Sequence, residues 1–269
     1  MTSAVPQARL EFGPGLAVLI GVHLALDVIL PQISLFWEEQ MLALAITVPL
    51  SQLSLVVIWA AVVLRNRILT SAVPILGMFA CWFVLSQLLP WGTYEDSSAV
   101  WAGALLFQAV TIFAAIACFR RLHPSAAGEL MQESKDANPN RFEIRDLMLW
   151  TAVVAVGLGF LRLGIKYWGW HENFFFQWEF LFVAAVLGIT QGLVAALWLW
   201  AFAMQPSVYP WNWPTAALLS AGLAVSQYLL LWRSGLSGME LQESLALVGG
   251  QSCLLAASLA VAKASTSSP

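Results

Sequence analysis

In a chain of 269 residues, 60% hydrophobic and 10% charged, 12 lysines and arginines meet 15 acidic residues for a net charge of −3. A water-soluble domain carries about a quarter charged residues, so this composition, with a mean hydropathy of +0.77, excludes an ordinary soluble globule and points to lipid as the solvent. So few cations also exclude the basic face that a nucleic-acid partner requires.

A bilayer core about 30 Å thick is crossed by roughly 20 apolar residues in a helix. In chain order such runs are predicted at about 12 to 31, 38 to 64, 69 to 90, 97 to 120, 146 to 168, 175 to 203, 212 to 233 and 241 to 262. Backbone amides in hydrocarbon must be satisfied within their own segment, which selects helices over strands. The fold class is therefore all-α, a polytopic bundle of about eight transmembrane helices. The first run lacks a small-residue cleavage site followed by soluble sequence, and it reads as a retained helix, not a signal peptide.

The one long polar connection, 123–145, divides the chain into two four-helix units, 1–122 and 146–269. With the N-terminus inside, the cytoplasmic side receives Arg9, Arg65, Arg67, Arg120, Arg121, Lys135, Arg141, Arg145 and Lys263, and the opposite side keeps only Arg162, Lys166 and Arg233. That asymmetry predicts both termini in the cytoplasm, in a bacterial inner membrane. Trp37, Trp91, Tyr94, Trp101, Trp168, Trp170, Trp178 and Trp232 then fall near the outer interface, where amphipathic rings settle.

The two units invite a test for duplication. Pro74 and Ser86-Gln87 match Pro214 and Ser226-Gln227 at an offset of 140, and Ser51-Gln52 and Trp59 match Thr190-Gln191 and Trp198 at 139. Gln108 meets Gln251 at 143, and His23 with Asp27 superposes on Arg162 with Lys166 at 139. An even number of helices per unit gives both halves one orientation, so the expected symmetry is a pseudo-twofold along the membrane normal.

Ionisable residues within spans are costly and mark candidate sites. His23 and Asp27 share one helix face at four-residue spacing, as do Arg162 and Lys166. Two readings follow: Asp27 neutralises Arg162 or Lys166 while the other cation snorkels outward, or the four line an outward-open pocket. In that pocket the cations would take a small anionic or amphiphilic ligand, and His23 would exchange protons near neutrality. Gln52, Gln191, Gln108 and Gln251 belong to the same candidate substrate-binding set, with Gln87 and Gln227 as a further pair. Such amides act either as glue between helices, each bond contributing about 0.6 kcal/mol, or as the lining of a watered cavity. Gly188 and Gly192 have GxxxG-like spacing and predict a close helix contact.

Catalytic signatures are absent: there is no GxSxG, no Walker-type loop and no HExxH, and Cys81, Cys118 and Cys253 form no CxxC pair. No catalytic residue, metal ligand or cofactor is assigned. The pair Glu38-Glu39 with His23 and Asp27 departs from the CAAX-protease-like intramembrane metalloproteases, because no arginine follows four residues after the second Glu and His23 precedes the Glu pair. The segment RFEIRDLMLWTAVVAVGLGFLR, Arg141 to Arg162, resembles the opening helix of uncharacterised multi-pass membrane proteins of planctomycete bacteria. That resemblance implies a membrane span and no activity. The sequence leaves three function classes: a transporter or permease-like module, a non-catalytic membrane subunit contacting another membrane protein, and, third, a membrane-embedded enzyme.

Overall fold

A computed structural model describes residues 25, 39–63, 67–88, 97–122, 162, 178–203, 212–235 and 240–266. They form six helices: α1 (Glu39–Val63), α2 (Arg67–Leu88), α3 (Ser97–Leu122), α4 (Trp178–Ala203), α5 (Asn212–Ser234) and α6 (Leu241–Thr266). No strand occurs among the described residues. At 1.5 Å per residue these helices of 22 to 26 residues are about 33 to 39 Å long, enough to cross a bilayer core. All six are long and apolar enough to do so, and together they are compatible with an integral membrane protein. Six of the eight expected spans are thus helices within a few residues of the expected bounds. The other two, 12 to 31 and 146 to 168, lie outside the described residues apart from Ala25 and Arg162.

The helix ends follow local chemistry. At the start of α6 the backbone N–H of Glu240 donates to the carboxylate of Glu243 (2.9 Å), while Ser244 N–H closes the first turn on the Glu240 carbonyl (3.1 Å). The carboxylate reaching back is one half of a capping box, and it satisfies a donor that the helix itself cannot. At the other end of α5, Gly235 takes φ +66° and its N–H reaches the Trp232 carbonyl at 3.1 Å. Only glycine adopts that left-handed geometry without steric cost, and it ends the helix there. Arg120 and Arg121 occupy the last turn of α3, where cations suit the negative end of the helix dipole.

Every charged residue of the six helices stands near a helix end: Glu39, Arg67, Arg120, Arg121, Glu179, Arg233, Glu243 and Lys263. The middle of these six helices is therefore free of charged side chains. Large apolar side chains such as Leu76, Phe83, Leu218 and Trp232 remain well exposed. In water such surfaces would drive aggregation, whereas in a bilayer they face an equally apolar solvent.

α1 is the central helix. It packs against α2, α3 and α6 and touches α4, and Leu50, Leu53, Ser51, Ser54 and Val57 on it are fully buried. α3 and α4 make the most extensive pair, and α5 packs on α4 and α6. Glycine sets the α3–α4 distance. A Cβ added at Gly188 would collide with the Ala104 carbonyl oxygen and lie 2.7 Å from Phe107 Cβ; one at Gly192 would lie 2.6 Å from Thr111 Cβ. One turn away, a Cβ on Gly103 would meet Ala184 Cβ at 3.0 Å. The GxxxG-like pair thus lets two backbones approach to contact, as the spacing anticipates.

Candidate functional site

The polar residues of the neutral middle converge on one hydroxyl, that of Ser54 in α1. Ser54 Oγ donates to the Leu50 carbonyl one turn back (3.0 Å) and accepts from Gln108 Nε2 of α3 (2.8 Å) and Gln251 Nε2 of α6 (3.1 Å). A hydroxyl has one donor and two acceptor sites, so its capacity is filled. Each glutamine uses its second amide hydrogen on a backbone carbonyl: Gln108 Nε2 donates to Leu50 O (2.8 Å) and Gln251 Nε2 to Gln191 O (3.3 Å). One serine and two amides therefore bind α1, α3, α4 and α6 to one another.

The residues here are almost wholly removed from solvent: Ser54, Gln108 and Gln251 are 0% exposed and Gln191 is 1% exposed. Their nitrogen ends are engaged, but the oxygen ends of Gln108 and Gln251 have no partner, and Gln191 has none for either Oε1 or Nε2. Ser252, next to Gln251, also has an unpartnered Oγ. Gln191 lies within this set: its carbonyl accepts from Gln251, and the α4 turn from Gly188 to Gly192 rests on the Gln108 backbone. The unmet amide capacity is three acceptors and one donor. An isolated buried amide group costs roughly 1 to 3 kcal/mol, so this concentration calls for a physical reason.

Of the sequence candidates, the structure brings Gln108, Gln191 and Gln251 together. Gln52 is half-buried on α1, and Gln227 is fully buried on α5. Gln87 lies in α2 with its side chain outside the described residues, and His23, Asp27 and Lys166 lie outside them altogether. Arg162 is helical and exposed. Sequence reasoning missed Ser54, because serine within a helix ordinarily bonds its own preceding turn; Ser54 does this too, and its spare acceptors serve two other helices. Arg120 was read only as a charge on the cytoplasmic side. Its Nη2 donates to the Ala61 carbonyl (2.7 Å), capping the last turn of α1 from α3.

The chemistry available here is limited to hydrogen bonding. No Asp, Glu, His, Lys or Arg stands in the middle of the six helices, and among the described residues no group of three or more His, Cys, Asp or Glu comes together. Acid–base and metal-assisted reactions have no basis in the amide cluster itself. Comparison with known proteins returns no matching family model, no matching curated protein and no matching solved structure.

Proposed function

We propose that this chain is a bacterial cytoplasmic-membrane protein with both termini inside, acting as a transporter or permease-like module built from two parallel four-helix units. The observation that carries the reading is the position of the amide cluster. Gln108 and Ser54 from the first unit meet Gln191 and Gln251 from the second, with hydrogen-bonding capacity left over where the units join. Parallel-repeat transporters bind substrate between their halves near the bilayer midplane, and a polar ligand would find unused acceptors there.

Helix packing supports the repeat. Exchanging α1, α2, α3 with α4, α5, α6 leaves the set of neighbours unchanged: α1 packs on α6 as α4 packs on α3, and the pairs within each unit correspond. Burial favours definite registers. Trp101, Ala104, Leu105, Gln108, Ala109 and Ile112 are buried in α3, and so are Ser244, Leu247, Val248, Gln251, Ser252 and Leu255, all 143 residues later. Gln108 bonds the carbonyl of Leu50 and Gln251 that of Gln191, which relates α1 to α4 at 141. At that register Thr47 and Ser51 stand where Gly188 and Gly192 stand. In α2 and α5, Cys81, Leu85 and Leu88 correspond in burial to Ser220, Ala224 and Gln227 at 139. These registers differ by one or two residues from the identity-based offsets for α1 with α4 and α2 with α5.

In the complete site, His23, Asp27, Arg162 and Lys166 would form the outward-facing entrance for a small anionic or amphiphilic ligand. The test is uptake into liposomes across a panel of small anions and amphiphiles, comparing wild type with Arg162→Ala, Lys166→Ala and Gln191→Leu. Uptake by wild type that falls in the cation variants supports the reading; identical traces for all four proteins across the panel sink it. The second reading, a non-catalytic membrane subunit, is favoured by the direct bonds across the units and the glycine-tight α3–α4 contact, which hold the helices rather than open them.

A further inference from the structure

We infer that the amide cluster is an internal hydration site: ordered water held between Gln108, Gln191 and Gln251 in the middle of the bundle, whether or not the protein transports anything. Three observations lead there. The cluster is buried from every side, so bulk solvent does not serve it. Its unused capacity is lopsided, with the Oε1 atoms of Gln108, Gln191 and Gln251 lacking donors and only Gln191 Nε2 lacking an acceptor. The nitrogen ends of Gln108 and Gln251 are fixed by Ser54 and two backbone carbonyls, so these amides cannot turn to satisfy their oxygens without breaking bonds already made.

The occupant must therefore bring donors. Water brings two donors and two acceptors and can bridge two amide oxygens while accepting from Gln191 Nε2; buried waters of this kind make about three hydrogen bonds each. An ammonium or alkali cation would also suit amide oxygens, but the six helices carry no carboxylate at this depth. Desolvating an ion there without a counter-charge costs far more than a few neutral carbonyls return. Water carries no such penalty.

Water-edited solid-state NMR of the full chain in lipid bilayers reads the site directly, with glutamine labelled at the side-chain carbonyl carbon. Signals are assigned by single Gln→Leu substitutions. Where Gln191→Leu does not fold, Gln191→Asn retracts the amide and serves instead. The expected result is transfer of water polarisation to Gln108, Gln191 and Gln251, with exposed Gln242 as the positive control, and loss of transfer to Gln108 and Gln251 when Gln191 is replaced. Transfer to Gln242 with none to the buried three overturns the inference, since the cluster is then dry. Carbonyl shifts that follow exchange of sodium for potassium or ammonium, without water transfer, overturn it as well, because the occupant is then a cation.

Discussion

Two helix seams of this bundle, α3 with α4 and α1 with α6, reach the same end by different chemistry. Between α3 and α4, Gly188 and Gly192 have no side chains, and the helices press backbone on backbone against Ala104, Phe107, Gln108 and Thr111. Between α1 and α6, the attachment comes from Gln251 donating to Ser54. Ser51, buried on α1, turns its hydroxyl back onto the Thr47 carbonyl (2.7 Å) and so uses its donor within its own helix. Lipid gives helices no hydrophobic reason to associate, which leaves dispersion from close packing and hydrogen bonds across the gap. One seam relies chiefly on the first and the other on the second.

The contrast breaks most visibly at Gly188. Gly188→Ala places a methyl group inside the Ala104 carbonyl, so unfolding in mixed micelles should show a loss at the upper end of the 1 to 3 kcal/mol typical of overpacking, or failure to fold. Wild-type stability in that variant would mean the α3–α4 contact is looser than described. Removing the shared hydroxyl with Ser54→Ala is the next largest effect. It takes a partner from both Gln108 and Gln251, and at about 0.6 kcal/mol per cross-helix bond, occasionally more, the loss should be about 1 to 2 kcal/mol. Double-mutant cycles should then show Ser54 coupled to each glutamine; coupling to neither would dissolve the cluster.

Arg120→Ala tests a smaller contribution at the end of α1. Losing the bond to Ala61 should cost at most about 1 kcal/mol and should show as faster hydrogen exchange in the last turn of α1, with the global midpoint nearly unmoved. The smallest effect is expected at Gly249, where an added Cβ meets nothing within 4 Å. Gly249→Ala should be neutral or more stable by less than about 1 kcal/mol, since alanine is the better helix former. Equal responses at Gly249 and Gly188 would show that helix propensity, not the seam, governs both.

Much of the frame was legible in the chain because the solvent dictates it. Lengths of about 20 apolar residues, charges confined to helix ends and a GxxxG-like pair all follow from what hydrocarbon will accept, and α1 to α6 sit within a few residues of their expected bounds. The site was legible only in part. Rare glutamines drew attention because amides are expensive in lipid, and Gln108, Gln191 and Gln251 do meet. Their common partner Ser54 gave no signal, since a serine that bonds its own helix looks the same in sequence whether or not its spare acceptors are used. The roles of Leu50 and Gln191 as acceptors were likewise hidden, because what each supplies is a backbone carbonyl, which every residue has.

The sequence by itself determined that the chain is apolar and that α1 to α6 are helices free of charge in mid-span, for the reason that unsatisfied backbone and unpaired ions are too costly in lipid. Only the tertiary structure decided which polar groups would find each other. Hydrogen bonds depend on distances of a few tenths of an ångström between residues as much as 197 positions apart, and those distances arise from how six helices rotate and press together. The same packing buries the amide oxygens of Gln108, Gln191 and Gln251 with no donor.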